Sequence, residues 1–165
     1  MNKLLLTGLL ASLISNDAVA EKLLKAQESI EVNAKASAVW EKIGDFGDIA
    51  AWHPAIESTE IVDGENNQRG AIRVLTLQDG SMIKEKLESY YPGKQKYIYS
   101  MVEGNLPVSG YQSYLSVSPI TGNMSRVTWY GRFKSAGASD DEAVNTISSV
   151  YRDGLDNLKR IAEAE

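Results

Sequence analysis

The sequence predicts an α+β domain in which a curved antiparallel sheet wraps around one long C-terminal helix. Hydrophobicity has a period of two over residues 56–134, short glycine-containing turns interrupt it, and one long apolar stripe follows near the C-terminus. Closely spaced strands joined by such turns pair as an antiparallel meander. The apolar face of this six- or seven-stranded sheet must be covered, and only the last helix is long enough to cover it.

The first twenty residues predict a secretory signal peptide. Lys3 supplies the positive start, residues 4–14 form the apolar run, and Ala18-Val19-Ala20 is a small-x-small cleavage site. The run is too short to span a bilayer, although an uncleaved anchoring helix is the alternative. We therefore expect cleavage after Ala20, a single mature domain over residues 21–165, no stable membrane insertion, and a periplasmic or secreted location.

The elements of the mature domain follow from local patterns. Residues 28–33 alternate polar and apolar side chains and predict the first strand, while 36–46 carry apolar side chains at helical spacing. A second short helical turn is expected at 49–52, before a proline. The remaining strands are predicted at 56–63, 70–77, 82–91, 95–103, 111–118 and 125–134.

The last helix is predicted to begin at Asp140-Asp141-Glu142, since negative charge is favoured at a helix N-terminus. Its apolar stripe consists of Val144, Ile147, Tyr151, Leu155, Leu158 and Ile161. Gly154 within this helix costs about 1 kcal/mol relative to alanine. Either a closely packed neighbour or a site that must stay open would explain it.

Composition argues against several classes of function. The net charge is −5, and it stays −5 without the first twenty residues, which hold one lysine and one aspartate. Without a block of basic residues, nucleic acid is not an expected partner. The chain has no cysteine and one histidine, His53, which argues against disulfides, zinc sites and nucleophilic triads. No phosphate-binding or dinucleotide-binding glycine motif is present, so we expect no metal, no cofactor and no assigned catalytic residue.

The hairpin in GAIRVLTLQDGSMIKEKLES can pair in two registers. A two-residue turn at Asp79-Gly80 places Val74 opposite Glu85, whereas a three-residue loop with a left-handed Gly80 places Arg73 opposite Glu85. The second register separates apolar from charged residues better, so we favour it. It predicts a charged pair on the inner face, which is either functional or a partly exposed salt bridge near the sheet edge.

The motifs VWEKIGDFGDIAAWHPAIESTE, GAIRVLTLQDG, KEKLESY, LPVSGYQSYLSV and VTWYGRF resemble bacterial polyketide cyclase/dehydrase-type proteins. These belong to the START-related, birch-pollen-allergen-like SRPBCC superfamily, and the similarity covers nearly all of residues 27–162. With the predicted signal peptide, the chain looks closest to periplasmic accessory proteins of methanol oxidation. The resemblance implies the helix-grip fold and a cavity for a small apolar or amphipathic molecule.

Distant members of the superfamily, the plant abscisic-acid receptors, imply particular pocket residues. The matching positions in this chain are His53, Arg73, Glu85, Tyr111, Ser113 and Gly154. His53 stands where the receptors have a lysine, and Leu106-Pro107-Val108 replaces their His-Arg-Leu latch. Both departures argue against carboxylate binding and hormone-type gating.

Three functions remain open from the sequence. We expect an exported protein that binds a small apolar or amphipathic ligand. The alternatives are an accessory protein whose acidic surface meets a periplasmic redox enzyme, and a cyclase- or dehydratase-like enzyme with His53 or Glu85 as acid/base. The predicted ligand-binding residues are His53, Arg73, Glu85, Tyr111, Ser113, Trp129, Val150 and Gly154.

Overall fold

The computed structural model describes residues 22–164, in which a seven-stranded antiparallel sheet holds one long helix. The strands are β1 (Leu24–Val32), β2 (Ile56–Asp63), β3 (Ile72–Leu77), β4 (Met82–Tyr91), β5 (Lys96–Glu103), β6 (Val108–Thr121) and β7 (Met124–Ser135). The helices are α1 (Ala36–Ile43) and α2 (Asp140–Ala162), with single 3₁₀ turns at Ile49–Ala51 and Pro92–Lys94. The predicted signal peptide lies outside the described residues, so its cleavage stays a prediction.

The strand order is β1-β7-β6-β5-β4-β3-β2, so strands adjacent in sequence from β2 to β7 are also neighbours in the sheet. Only β1 departs from this order, because it pairs antiparallel with β7. The segment from α1 through the Ile49–Ala51 turn therefore connects one edge of the sheet to the other. The α+β helix-grip fold predicted from the sequence is confirmed.

The first strand begins earlier than the sequence pattern predicted, at Leu24 rather than at residue 28. Leu24 and Ala26 are buried and continue the inward alternation, while Lys25 points outward. The charge of Lys25 hid this alternation, because a charged residue on the outer face of a strand resembles a polar lead-in. Strand β6 is likewise longer than predicted at both ends.

The hairpin between β3 and β4 adopts the favoured register. Arg73 pairs directly with Glu85, and the Leu77 amide donates to the Ser81 carbonyl oxygen at 2.8 Å. The loop between Leu77 and Ser81 therefore has three residues, and its Gly80 has a φ of +81°, in the left-handed region. The prediction that an arginine and a carboxylate share the inner face is confirmed.

Helix α2 begins and ends as its sequence predicts. Ser139 caps it in a capping box with Glu142, whose carboxylate accepts from the Ser139 amide. The acidic first turn and Lys159 and Arg160 in the last turn both match the helix dipole. Neither α2 nor any other helix within residues 22–164 is long and apolar enough to cross a membrane.

Candidate functional site

A mostly apolar cavity of about 70 Å³ lies between the inner face of the sheet and α2. Since about 10–15 Å³ of such space suffices for one water, the cavity holds a few waters or a molecule of a few heavy atoms. Its apolar lining includes Ile49, Ile56, Leu75, Ile83, Leu106 and Ile147.

Polar groups also reach the cavity, from His53, Glu85, Tyr99, Tyr111, Trp129 and Tyr151. Glu85 is the only carboxylate among these described lining residues. The cavity thus combines an apolar wall with a few polar atoms, the usual character of a small-molecule site.

Glu85 is held by Arg73 in a buried ion pair. The Arg73 Nε donates to Glu85 Oε2 at 2.8 Å, and Nη2 lies 2.6 Å from the same oxygen. The side chains are 0% and 9% exposed, which identifies a buried pair rather than a salt bridge at the sheet edge. Arg73 Nη1 also donates to the Phe46 carbonyl oxygen, and the guanidinium carbon lies 4.1 Å from the Phe46 ring centroid. No residue within 22–164 is seen to donate a hydrogen bond to the other carboxylate oxygen, Glu85 Oε1.

Burial and mutual attraction act in opposite directions on this pair. Burial raises the pKa of the Glu85 carboxyl above its usual value, and the nearby Arg73 charge opposes that rise. Burial also disfavours the charged form of Arg73, but attraction to Glu85 holds the pKa of the guanidinium above its usual value. Because the two groups are in contact, we take both as ionised near neutral pH. Glu85 is then a carboxylate that is more basic than an exposed one.

A network of buried hydroxyl groups lies beside Glu85. The Tyr111 hydroxyl is 3.3 Å from that of Tyr99 and 2.6 Å from that of Tyr151. Ser113 Oγ lies 3.0 Å from the Tyr151 hydroxyl, and Trp129 Nε1 donates to Tyr99 at 2.9 Å and to Ser113 at 3.1 Å. Burial raises the pKa of Tyr99, Tyr111 and Tyr151 above the usual value, so all three hydroxyls keep their protons at physiological pH.

His53 is fixed through both ring nitrogens to the backbone. Nδ1 accepts from the Ala55 amide at 3.2 Å, so Nε2 carries the proton and donates to the Val150 carbonyl oxygen of α2 at 3.0 Å. The residue is 2% exposed and packs edge-on against Trp129. His53 therefore links the loop before β2 to α2 through hydrogen bonds. Neither ring nitrogen is free for proton transfer.

The position of His53 explains Gly154. A Cβ atom added at Gly154 would lie 2.6 Å from His53 Cδ2 and 3.0 Å from Trp129 Cζ3. These distances are too short for a side chain, so the glycine is required by close packing rather than by an open site. Gly131 has the same role on β7, where a Cβ would collide with the Tyr151 hydroxyl.

The state of His53 predicts a loss of stability in mild acid. Burial lowers its pKa from the usual 6.5, against smaller opposing effects of the Val150 carbonyl and Asp153, and the Arg73 charge adds to the lowering. Below about pH 6.5, His53 binds a proton in the unfolded chain but not yet in the folded chain. The contribution of His53 to the free energy of unfolding is therefore fully present above that pH, and it is lost as the pH falls through the pKa of the folded state. The slope should not exceed about 1.4 kcal/mol per pH unit.

Urea unfolding of the wild type and of His53→Gln between about pH 7 and pH 5 measures this effect. Glu85, whose pKa is raised, contributes with the opposite sign in both proteins, so the difference between them isolates His53. Equal slopes in the two proteins would contradict the prediction. The single histidine signal in NMR provides a direct titration.

The structure brings the predicted site residues into two layers. Five of them line the cavity: His53, Glu85, Tyr111, Trp129 and Val150. The other three lie behind the lining, each against a lining residue: Arg73 at Glu85, Ser113 at Trp129, and Gly154 at His53. That these eight residues serve a ligand stays a prediction.

Two of the polar lining residues, Tyr99 and Tyr151, were not predicted from the sequence. Tyr151 was assigned to the apolar stripe of α2, and Tyr99 lies on the buried face of β5. Periodicity indicates the face on which a ring lies, but it does not reveal that hydroxyls from three elements meet. No group of three or more His, Cys, Asp or Glu side chains within residues 22–164 is placed to hold a metal ion.

Comparison with known proteins gives one family and several similar structures. The model of a family described as "Polyketide cyclase / dehydrase and lipid transport" matches residues 24–163. No curated protein matches the chain. An uncharacterised protein of Bacillus thuringiensis has a similar structure with a TM-score of 0.79 and 32% identity, over 84% of this chain and 98% of that one. The protein XoxI of Bacillus cereus follows with a TM-score of 0.78 and 33% identity, over 83% and 94%.

A further structural neighbour shares only the fold. The Zhui aromatase/cyclase of Streptomyces sp. R1128 has a TM-score of 0.70 over 86% of this chain and 94% of that one, but 18% identity. At this identity the likeness concerns the path of the backbone and transfers no active-site residue to this chain.

Proposed function

Because the chain belongs to the polyketide cyclase/dehydrase and lipid transport family, we propose that it is an exported protein that binds a small apolar or amphipathic molecule between its sheet and α2. The observation that carries this proposal is a cavity beside a buried carboxylate, one oxygen of which has no hydrogen-bond donor among residues 22–164. A purely structural core would gain stability from apolar side chains of similar volume at these positions. The cost of the buried polar groups is therefore consistent with a binding role.

The size of the cavity restricts the ligand. Small-molecule pockets usually measure about 300–1,000 Å³, whereas this one measures about 70 Å³. A ligand of a few heavy atoms fits without movement, and a larger one requires displacement of wall side chains. Leu106 is suited to move, since it lies on the connection between β5 and β6 and is only partly buried.

The remaining parts of the proposal rest on sequence patterns and on similarity. Export is supported by the signal-peptide pattern of residues 1–20. A role beside a protein partner stays a prediction, with the similarity to XoxI along most of the chain as its support. If the chain is instead an enzyme, Glu85 is the better acid/base candidate, because both nitrogens of His53 are bonded to the backbone.

Filling the cavity should abolish ligand binding. Ile83 lines the cavity on β4, and Ile83→Phe places a ring in the open space. We expect a panel of small alcohols and hydrocarbons to raise the melting temperature of the wild type, because a ligand at a hundred times its Kd adds about 2.7 kcal/mol of stability. Thermal shift and NMR titration should detect no binding to Ile83→Phe.

Val74→Phe is the matched control, because Val74 lies on the neighbouring strand and is paired with Lys84 on the outer face. This variant should bind the panel as the wild type does. Unchanged binding by Ile83→Phe, or no binding by the wild type, would contradict the proposed function.

A further inference from the structure

We infer that the cavity selects ligands whose polar end is an uncharged hydrogen-bond donor, such as a hydroxyl group, over carboxylates, ammonium ions and molecules that only accept hydrogen bonds. This inference rests on the proposed binding function and names the chemical class of the ligand. Its basis is the position of each donor proton among the polar groups that line the cavity.

The first available acceptor is Glu85 Oε1. The donors of Arg73 are directed to Glu85 Oε2 and to the Phe46 carbonyl oxygen, and no residue within 22–164 donates to Oε1. Glu85 is 7% exposed overall and lines the cavity, and Oε1 is not among the fully enclosed side-chain atoms that lack a hydrogen bond, so this oxygen is accessible from the cavity. A ligand donor placed there pairs with a charged oxygen that no described protein group satisfies.

The hydroxyl protons have one arrangement that satisfies every contact. Ser113 Oγ donates its only proton to the Tyr130 carbonyl oxygen at 2.7 Å, so Tyr151 must donate to Ser113 at 3.0 Å. Tyr111 must then donate to Tyr151 at 2.6 Å, and Tyr99 to Tyr111 at 3.3 Å. One backbone carbonyl thus fixes the direction of four hydroxyl groups and uses all their protons.

The other polar groups of the lining have no free donor either. Trp129 Nε1 already donates to two hydroxyl oxygens of this network. His53 Nε2 donates to the Val150 carbonyl oxygen. Trp52 Nε1 and Arg73 Nη2 are buried donors without a hydrogen-bond partner among the described residues, but neither residue lines the cavity. The polar side of the cavity therefore presents lone pairs only, and a ligand must bring the donor.

Charge restricts the ligand further. The Arg73–Glu85 pair is neutral as a unit, so an ammonium group would bring an uncompensated positive charge into a buried site near Arg73. A carboxylate would meet a carboxylate and hydroxyl oxygens with no free proton. An uncharged donor such as an alcohol avoids both costs.

Four probes of similar size test the inference: isopropanol, acetone, acetate and isopropylammonium. Binding to the wild type is followed by the Trp129 indole N–H signal in ¹⁵N NMR, which Trp129→Phe identifies among the three tryptophans. We expect isopropanol to bind, and each of the other three to bind at least about tenfold more weakly, since each leaves a buried polar or charged group unpaired.

Ser113→Ala tests the proton arrangement without altering a residue of the cavity lining. Without Ser113 as acceptor, Tyr151 can donate to Tyr111 and Tyr111 to Tyr99, which leaves the Tyr99 proton free to enter the cavity. Acetone should then bind more tightly, and the ratio of its Kd to that of isopropanol should fall to about threefold or less. If the variant does not fold, the wild-type ratios alone decide.

The outcomes separate the inference from the proposed function. If acetone or acetate binds as tightly as isopropanol, or isopropylammonium binds more tightly, the donor rule is overturned while ligand binding stands. If Ser113→Ala folds and the ratio of the acetone and isopropanol Kd values is unchanged, the donor rule is overturned as well. No response of the wild type to any of the four probes would overturn the inference together with the proposed function.

Discussion

Arg73→Met is expected to lower the free energy of unfolding by about 3–5 kcal/mol, because it leaves the Glu85 carboxylate buried without its counter-charge. Arg73 is fully buried, donates to Glu85 and to the Phe46 carbonyl oxygen, and lies over the Phe46 ring. The substitution removes all three contacts, although methionine retains much of the apolar volume of the side chain.

Urea unfolding at neutral pH measures this loss, with Arg126→Met as the matched control. Arg126 forms an ion pair with Glu31 at 2.7 Å, but both side chains are about half exposed. The control should therefore cost about 0–1 kcal/mol. In the double variant Arg73→Met/Glu85→Leu no charge remains buried, and most of the lost stability should return. A single-variant loss as small as that of the control would contradict the buried pair.

Gly154→Ala is expected to lower the free energy of unfolding by about 1–3 kcal/mol, although alanine is the better helix former by about 1 kcal/mol. The added methyl group would lie 2.6 Å from His53 Cδ2 and 3.0 Å from a ring carbon of Trp129. His53 cannot move away freely, since both of its ring nitrogens are bonded to the backbone.

A double-mutant cycle with His53→Ala separates packing from helix propensity. In the His53→Ala background the space beside residue 154 is open, so the same Gly154→Ala change should become neutral or stabilising by up to about 1 kcal/mol. Gly93→Ala serves as control, because nothing lies within 4 Å of its added Cβ and its φ is not positive. Additive effects of His53→Ala and Gly154→Ala would show that the two residues are not in contact.

The sheet could be predicted from the sequence because its determinants are local. Turn residues and alternation located β2 to β7. The segregation of apolar from charged residues selected the three-residue loop, and with it the register that pairs Arg73 with Glu85. The start of β1 was harder to predict, because the charge of Lys25 on the outer face hides the alternation that Leu24 and Ala26 continue.

Only part of the site could be predicted. The sequence shows which side chains lie on the inner face of the sheet, but not which side chains from different strands and helices contact each other. Glu85, Tyr111 and Trp129 follow from strand alternation, and all three line the cavity. Whether Tyr99 and Tyr151 lie beside these three residues depends on how α2 crosses the sheet, and periodicity does not determine that crossing. That His53 is the only histidine likewise does not predict that its ring lies against Gly154.

The pairing of β1 with β7 has a consequence for when this chain can fold. Residues Leu24–Val32 find their strand partner in residues Met124–Ser135, and α2, which covers the core, follows still later. Contacts between such distant segments form slowly and only after both have been synthesised. A ribosome-bound chain lacking its last forty residues, roughly, would have neither the partner strand nor the covering helix. Completion of the fold therefore waits until β7 and α2 have been synthesised.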